Sequence, residues 1–216
     1  MSKYDYIFFD LDGTLSDTAP GIINCLTFTF NSMGIAVRDQ AELRKFIGPP
    51  LGESFPMYYG FSPEQTEVAL KLFREHYQES GIFENAMYDG IDTLLKKLCD
   101  AGKILVVATS KPEPSARSIL QRYGIDKYFM YIAGSSFDET RTKKAEVIAY
   151  ALETCKIEDK SMVIMIGDRF HDVVGAKENG IDCIGILYGY GERNELEEAG
   201  AIAIAADICE LTEILL

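Results

Sequence analysis

Short, unbroken apolar runs recur along this chain, separated by stretches with helical periodicity. Tyr6-Ile7-Phe8-Phe9, Ile104-Leu105-Val106-Val107-Ala108 and Met162-Val163-Ile164-Met165-Ile166 read as buried strands. The full pattern predicts strands over residues 5–9, 104–109, 129–133, 162–167, 182–187 and 202–204. It predicts helices over 90–101, 113–123, 142–155, 171–179, 193–199 and 207–214. Gly102, Gly124 and Gly180 stand where helices should stop. Such alternation implies an α/β fold, a Rossmann-like doubly wound parallel sheet with helices on both faces. Residues 18–88 break the alternation. Ile22, Ile23, Leu26, Phe30 and Met33 follow helical spacing, as do Val68, Leu72, Phe73 and Tyr77. The expected organisation is a core of 1–17 and 89–216 with an α-helical insertion, 18–88, between its first two strands.

Polar residues close several of the apolar runs. Asp10, Thr109 and Asp168 fall at the carboxyl ends of three predicted strands, where open α/β sheets bind ligands. In Asp10-Leu11-Asp12-Gly13-Thr14, two acids at a strand mouth repel each other and lose hydration. A fold keeps such a pair mainly when positive charge offsets it, typically a divalent cation. The plainer alternative is a solvated acidic turn. Side chains at i and i+2 can point the same way, and Gly13 permits a sharp turn. Asp168 and Asp172 lie four apart, destabilising a helix by a few tenths of a kcal/mol unless a cation intervenes. Thr109-Ser110-Lys111-Pro112 could equally be a strand-to-helix turn with a capping hydroxyl, Pro112 and Pro114 suiting the first helical turn. Lys143 and Lys144 open another helical run, where lysines are ordinarily solvated.

Taken in order, these four segments resemble the four motifs of the haloacid dehalogenase superfamily. Those are D-x-D-G-T-L, a strand ending in Thr or Ser, a Lys near a helix start, and G-D-x-x-x-D. The insertion resembles the helical cap of the phosphoglycolate-phosphatase-like branch, so the likeness spans nearly the whole chain. Thr/Ser-Lys-Pro and G-D-R-x-x-D are equally similar to a set of bacterial 5′-nucleotidases. The resemblance implies hydrolysis of a small-molecule phosphate monoester, phosphoglycolate or a 5′-nucleotide. Asp10 is then the nucleophile and Asp12 the general acid and base. Mg²⁺ is held by Asp10, the Asp12 backbone carbonyl and Asp168, with Asp172 in support. Thr109, Ser110 and Lys144 hold the phosphoryl group, Lys144 fitting the motif better than Lys143. In Phe46-Ile47-Gly48-Pro49-Pro50-Leu51-Gly52-Glu53-Ser54-Phe55, the resemblance implies a substrate-selecting loop with Gly48, Pro50, Leu51 and Glu53. Arg44 and Lys45 are further candidates. The alternative for this stretch is a stiff inter-helix turn with Phe46 and Phe55 in the core of the insertion. Two alternatives remain: a β-phosphoglucomutase-like phosphotransferase, which uses the same core although Thr14 fits a phosphatase, and a receiver-like signalling module, which the Asp-x-Asp pair on one strand end and the helical insertion oppose.

A hydrophobic fraction of 47% allows an ordinary core. The net charge of −13 argues against nucleic-acid polymers and anionic membranes as partners. It is compatible with a phosphate ligand, because a local cation acts within a few Å while surface charge is screened over roughly 8 Å. Five scattered cysteines with no C-x-x-C predict buried, reduced thiols. His76 and His171 are expected in solvated or capping roles, since no zinc spacing occurs. No apolar run reaches the ~20 residues of a membrane span, and the first residues run into a strand without a signal peptide. The expectation is a cytoplasmic protein, a monomer or weak homodimer.

Overall fold

The structure is a computed structural model that describes residues 3–37, 39–136 and 140–216, without the side chains of Gln40 and Ala41. Strand β1 (Tyr6–Phe9) is followed by the two-residue strand β2 (Ser16–Asp17). Helices α1 (Ala19–Ser32), α2 (Leu51–Tyr59) and α3 (Pro63–Glu79) come next, then the short strand β3 (Ala86–Met87) and α4 (Ile91–Asp100). Strands β4 (Ile104–Pro112) and β5 (Phe129–Ser135) enclose α5 (Glu113–Arg122). The rest alternates: α6 (Lys144–Thr154), β6 (Val163–Gly167), α7 (Phe170–Glu178), β7 (Asp182–Ile186), α8 (Arg193–Ala199), β8 (Ala203–Ala205) and α9 (Ile208–Leu215). The chain divides into two compact units, one of Met1–Ser16 with Met87–Leu216 and one of Asp17–Ala86.

The first unit is built on a parallel six-stranded sheet in the order β5-β4-β1-β6-β7-β8. The chain winds one way from β1 through β4 to β5, then returns to the other side of β1 at β6. That reversal makes β1 the switch point, with Tyr6 paired to Ile104 on one side and Val163 on the other. A strand paired on both edges and covered on both faces must be apolar throughout, and Ile7, Phe8 and Phe9 are fully buried. Phe8, Val106 and Met165 pack with Val147, Ile148 and Ala151 of α6 and Val173 of α7. Each large side chain so buried contributes about 1.5–3 kcal/mol.

β4 runs three residues beyond its predicted end at 109. Ala108 pairs with Ala133 and the next pair is Pro112 with Ser135, so Thr109, Ser110 and Lys111 bulge opposite Gly134 alone. Gly134 permits this: a Cβ there would collide with the Lys111 carbonyl oxygen and the Glu113 backbone. The cysteines also depart from expectation. Cys25 and Cys183 are buried, Cys99 and Cys155 half-buried, and Cys209 is exposed. Cys209 lies off the inward stripe of α9, which is Leu211 and Leu215. No helix among the described residues is long and apolar enough to cross a membrane.

The second unit holds α1, α2 and α3. Ser62 and Gln65 cap α3 reciprocally: Ser62 Oγ accepts from the Gln65 N–H at 3.2 Å, and Gln65 Oε1 accepts from the Ser62 N–H at 2.9 Å. The inward face of α3 is Thr66, Ala69, Phe73 and Tyr77. Val68, expected on it, is exposed, because a one-residue offset from Ala69 turns a side chain about 100° round a helix. Phe30 of α1 is the hub of the core. It meets Phe46, Phe55 and Phe61 edge-on with centroids 5.9–6.0 Å apart, and Tyr59 stacks on it at 4.4 Å. Such pairs add about 0.5–1.5 kcal/mol each beyond burial. The turn between Phe46 and Phe55 is shorter than expected, since α2 begins at Leu51 and Glu53 lies in its first turn. Phe30→Ala should cost about 3–5 kcal/mol in urea unfolding, through the cavity left among these rings. Val68→Ala should stay within about 0.5 kcal/mol.

Candidate active site

Asp10 follows the last residue of β1 and Asp168 the last residue of β6, so adjacent strands deliver two carboxylates to the same edge of the sheet. Asp172 arrives from α7. One of its oxygens, Oδ2, accepts from the Arg169 N–H at 3.1 Å, closing the first turn of the helix from within. Its other oxygen, Oδ1, meets Lys144 Nζ at 2.8 Å. The same ammonium lies 2.7 Å from Asp10 Oδ1 and donates to the Ala108 carbonyl at 3.1 Å. Lys144 is the first residue of α6 and is buried, whereas Lys143 one position earlier is exposed. The α6 entry is set by Glu146, whose carboxylate accepts from the Thr142 and Lys143 N–H groups at 2.8 and 3.0 Å.

Asp168 accepts from the Tyr190 N–H at 2.7 Å and from the Thr14 hydroxyl at 3.4 Å. Gly13, at φ +80°, makes this approach possible, because a Cβ there would strike the Asp168 carboxylate and the Tyr190 ring. Asp12 is paired to a second lysine. Lys111 Nζ grips both its carboxylate oxygens, each at 2.9 Å. Thr109 is buried in the β4 bulge, where its hydroxyl accepts from the Lys111 N–H at 3.2 Å, and Ser110 beside it is half-buried. Gly48, Pro50, Leu51 and Glu53 belong to the second unit, where Glu53 is exposed and the other three are half-buried. Lys111 and the Tyr190 N–H were not among the residues expected at the site. Lys111 was visible within Thr-Ser-Lys-Pro, but a backbone donor leaves no mark on sequence.

Asp10, Asp168 and Asp172 each offer an oxygen, all within 4.8 Å of one another. Three buried carboxylates lie together, and one ammonium, that of Lys144, contacts two of them. Burial, with Asp172 and Asp10 adding repulsion, pushes Asp168 well above the usual carboxylate range. Burial also raises Asp10, to about 6 against the pull of Lys144. Burial alone would favour neutral Lys144, but Asp10 and then Asp172 hold its ammonium above the ordinary value. The excess negative charge and the all-oxygen donor set fit a hard divalent cation such as Mg²⁺, which takes one or two carboxylates and completes its shell with water and phosphate. Neither histidine joins this group.

Residues 7–186 match the family model of haloacid dehalogenase-like hydrolases. The chain is 41% identical over 213 residues to a 5′-nucleotidase of Pseudomonas aeruginosa, covering 99% of this chain and 96% of that protein. It is 40% identical over 212 residues to tyrosine-protein kinase PtkA of Mycobacterium tuberculosis, covering 97% of this chain and 72% of that one. A crystal structure titled a predicted phosphatase, from Clostridium acetobutylicum, superposes with a TM-score of 0.94 at 45% identity over 97% of both chains.

The two lysines at the start of α6 should behave oppositely. Lys144→Ala strands Asp10 and Asp172 without their cation and should cost about 3–5 kcal/mol of stability in metal-free buffer. Lys143→Ala should change the urea midpoint by no more than about 0.5 kcal/mol equivalent. Equal effects would mean that the ammonium in the cluster is not needed there.

Proposed function

The chain belongs to the haloacid dehalogenase-like hydrolases, and from that premise we propose that it hydrolyses a small-molecule phosphate monoester through a phosphorylated Asp10. The observation that carries this reading is the meeting of Asp10, Asp168, Asp172 and Lys144 at the switch point of the sheet. A 5′-nucleotide is the preferred substrate class, given the 41% identity to a 5′-nucleotidase, with phosphoglycolate as the alternative that the sequence motifs allow.

In this mechanism an Asp10 carboxylate oxygen attacks phosphorus, and the bond from phosphorus to the leaving oxygen breaks. Asp12, as carboxylic acid, gives that oxygen its proton. Water then attacks phosphorus and loses a proton to the Asp12 carboxylate. The Asp10–phosphorus bond breaks, releasing inorganic phosphate and the free aspartate. Thr109, Ser110 and Lys144 hold the equatorial oxygens through both steps. Asp10, Asp168 and the Asp12 carbonyl, with Asp172 in support, would hold Mg²⁺, which would supply charge neutralisation at the transferring group. Lys144 has a second duty: it keeps Asp10 turned toward the substrate by occupying Oδ1, which also accepts from the Leu11 N–H at 2.7 Å.

The 40% identity to a tyrosine kinase favours one further reading, in which the phosphoryl group on Asp10 passes to an acceptor hydroxyl in place of water. β-Phosphoglucomutase-like transfer is the same chemistry with a sugar acceptor. Phosphate accounting separates the outcomes. Hydrolysis releases one inorganic phosphate per alcohol formed, and transfer leaves a phosphate deficit. Wild-type protein should cleave p-nitrophenyl phosphate and nucleoside monophosphates with Mg²⁺ and not with EDTA. Asp10→Asn should lower the rate at least 100-fold while unfolding normally. Retention of more than about a tenth, only ~1.4 kcal/mol of barrier, would exclude Asp10 as nucleophile.

We place substrate choice in the second unit, at Gly48, Pro50, Leu51 and Glu53. The strand-end groups are committed to the phosphoryl oxygens and the metal, so the leaving group needs other contacts. Substitutions at Pro50, Leu51 or Glu53 should reorder kcat/KM among nucleotides and phosphoglycolate, leaving p-nitrophenyl phosphate within a few-fold. A uniform loss across all substrates would remove this segment from specificity.

A further inference from the structure

Two buried ammonium groups of the site contact three of its four acids. Lys144 contacts Asp10 and Asp172, and Lys111 contacts Asp12 through both oxygens at 2.9 Å. The Lys111–Asp12 pair is nearly shut off from solvent, with side-chain exposures of 5% and 12%. The β4 bulge supplies Lys111, and the turn after β1 supplies Asp12, 99 residues earlier in the chain.

A carboxylate on a single methylene can rotate about two bonds. Contact with both oxygens at once removes that freedom. It does not use up the group, because each carboxylate oxygen has two lone-pair sites and the ammonium takes one from each. The remaining sites stay available to exchange a proton with a leaving oxygen or a water. We infer that Lys111 is a positioning residue for Asp12, fixing the carboxyl group that trades protons with the substrate and making no contribution of its own to phosphoryl binding. The inference rests on the proposed acid–base role of Asp12.

This division of labour has a signature that neither a purely structural lysine nor a phosphate-binding one shares. An alkyl phosphate expels a poor leaving group and depends on protonation by Asp12. p-Nitrophenolate leaves without that help. The parameter to compare is kcat/KM, which reports the steps up to phosphoryl transfer onto Asp10. Lys111→Met should lower kcat/KM for an alkyl phosphate about 100-fold and for p-nitrophenyl phosphate less than about 5-fold, roughly 2.7 against 1 kcal/mol of barrier. Asp12→Asn should show the same selectivity, and the double variant should be no worse than Asp12→Asn alone. Lys111→Arg, whose planar fork can also engage a carboxylate through two bonds, should recover most of the alkyl activity. If Lys111→Met does not fold, Lys111→Gln, with one donor in place of the ammonium, should show a smaller loss with the same leaving-group bias.

Equal losses on both esters, or losses that add to those of Asp12→Asn, would assign Lys111 to phosphoryl binding and overturn the inference while leaving the hydrolase reading intact. Failure of wild-type protein to cleave any phosphate ester with Mg²⁺ would end the functional reading, and this inference with it.

Discussion

Three carboxylates buried side by side cannot all be ionised without compensation, and much of the first unit is arranged around that repulsion. Asp10, Asp168 and Asp172 share a space 4.8 Å across with one ammonium, that of Lys144. Stripping water from such charges costs several kcal/mol per ion, so each must find a partner or a proton. Lys144 is placed by the N-terminus of α6, and Asp172 by the hydrogen bond that closes the first turn of α7. Asp168 is steadied by a backbone N–H and a hydroxyl. None of these devices comes from β1, β4 or β6 below the site, whose apolar side chains bind the sheet to its helices. The division is economical in design terms: hydrophobic residues secure the platform, and polar residues appear where the strands end.

That division also explains what was legible in the sequence. Strand positions could be read because a doubly covered strand must be apolar along its length, as Ile7-Phe8-Phe9 is. Asp10 and Asp168 could be read because each closes such a run. Lys144 could be separated from Lys143 only by likeness to a family pattern; the physical discriminator, burial of one and exposure of the other, depends on where α6 begins. Contacts across the fold were not legible. Nothing local to Lys111 says that its ammonium meets a carboxylate from another strand, and nothing local to Tyr190 says that its N–H faces Asp168. The inward face of α3 was misplaced at Val68 because Val68 and Ala69 are both apolar, and periodicity cannot choose between neighbours when both fit. The start of α2 at Leu51 was hidden by a glycine and proline cluster that reads as continuous turn.

The β4 bulge links these two levels. A regular strand would alternate Thr109, Ser110 and Lys111 between the two faces of the sheet. Opposite Gly134, three residues take the place of one, and the Thr109 hydroxyl accepts from the Lys111 N–H. Gly134 therefore shapes the candidate site with no side chain of its own, by giving way to the Lys111 carbonyl.

The central place of β1 has a consequence for the life of the newly made chain. Its second hydrogen-bonded neighbour, β6, begins 157 residues after it, at Val163 opposite Tyr6. At typical synthesis rates that separation amounts to roughly 8–30 seconds of translation, against microseconds to milliseconds for helices to form and pack. Before β6 emerges, that edge of β1 has no strand to pair with, and an unpaired apolar strand edge is a template for pairing with other chains. The strand that leads into Asp10 thus waits longest for its second neighbour. A late-paired edge along residues 6–9 is the vulnerability this topology accepts in return for a central β1.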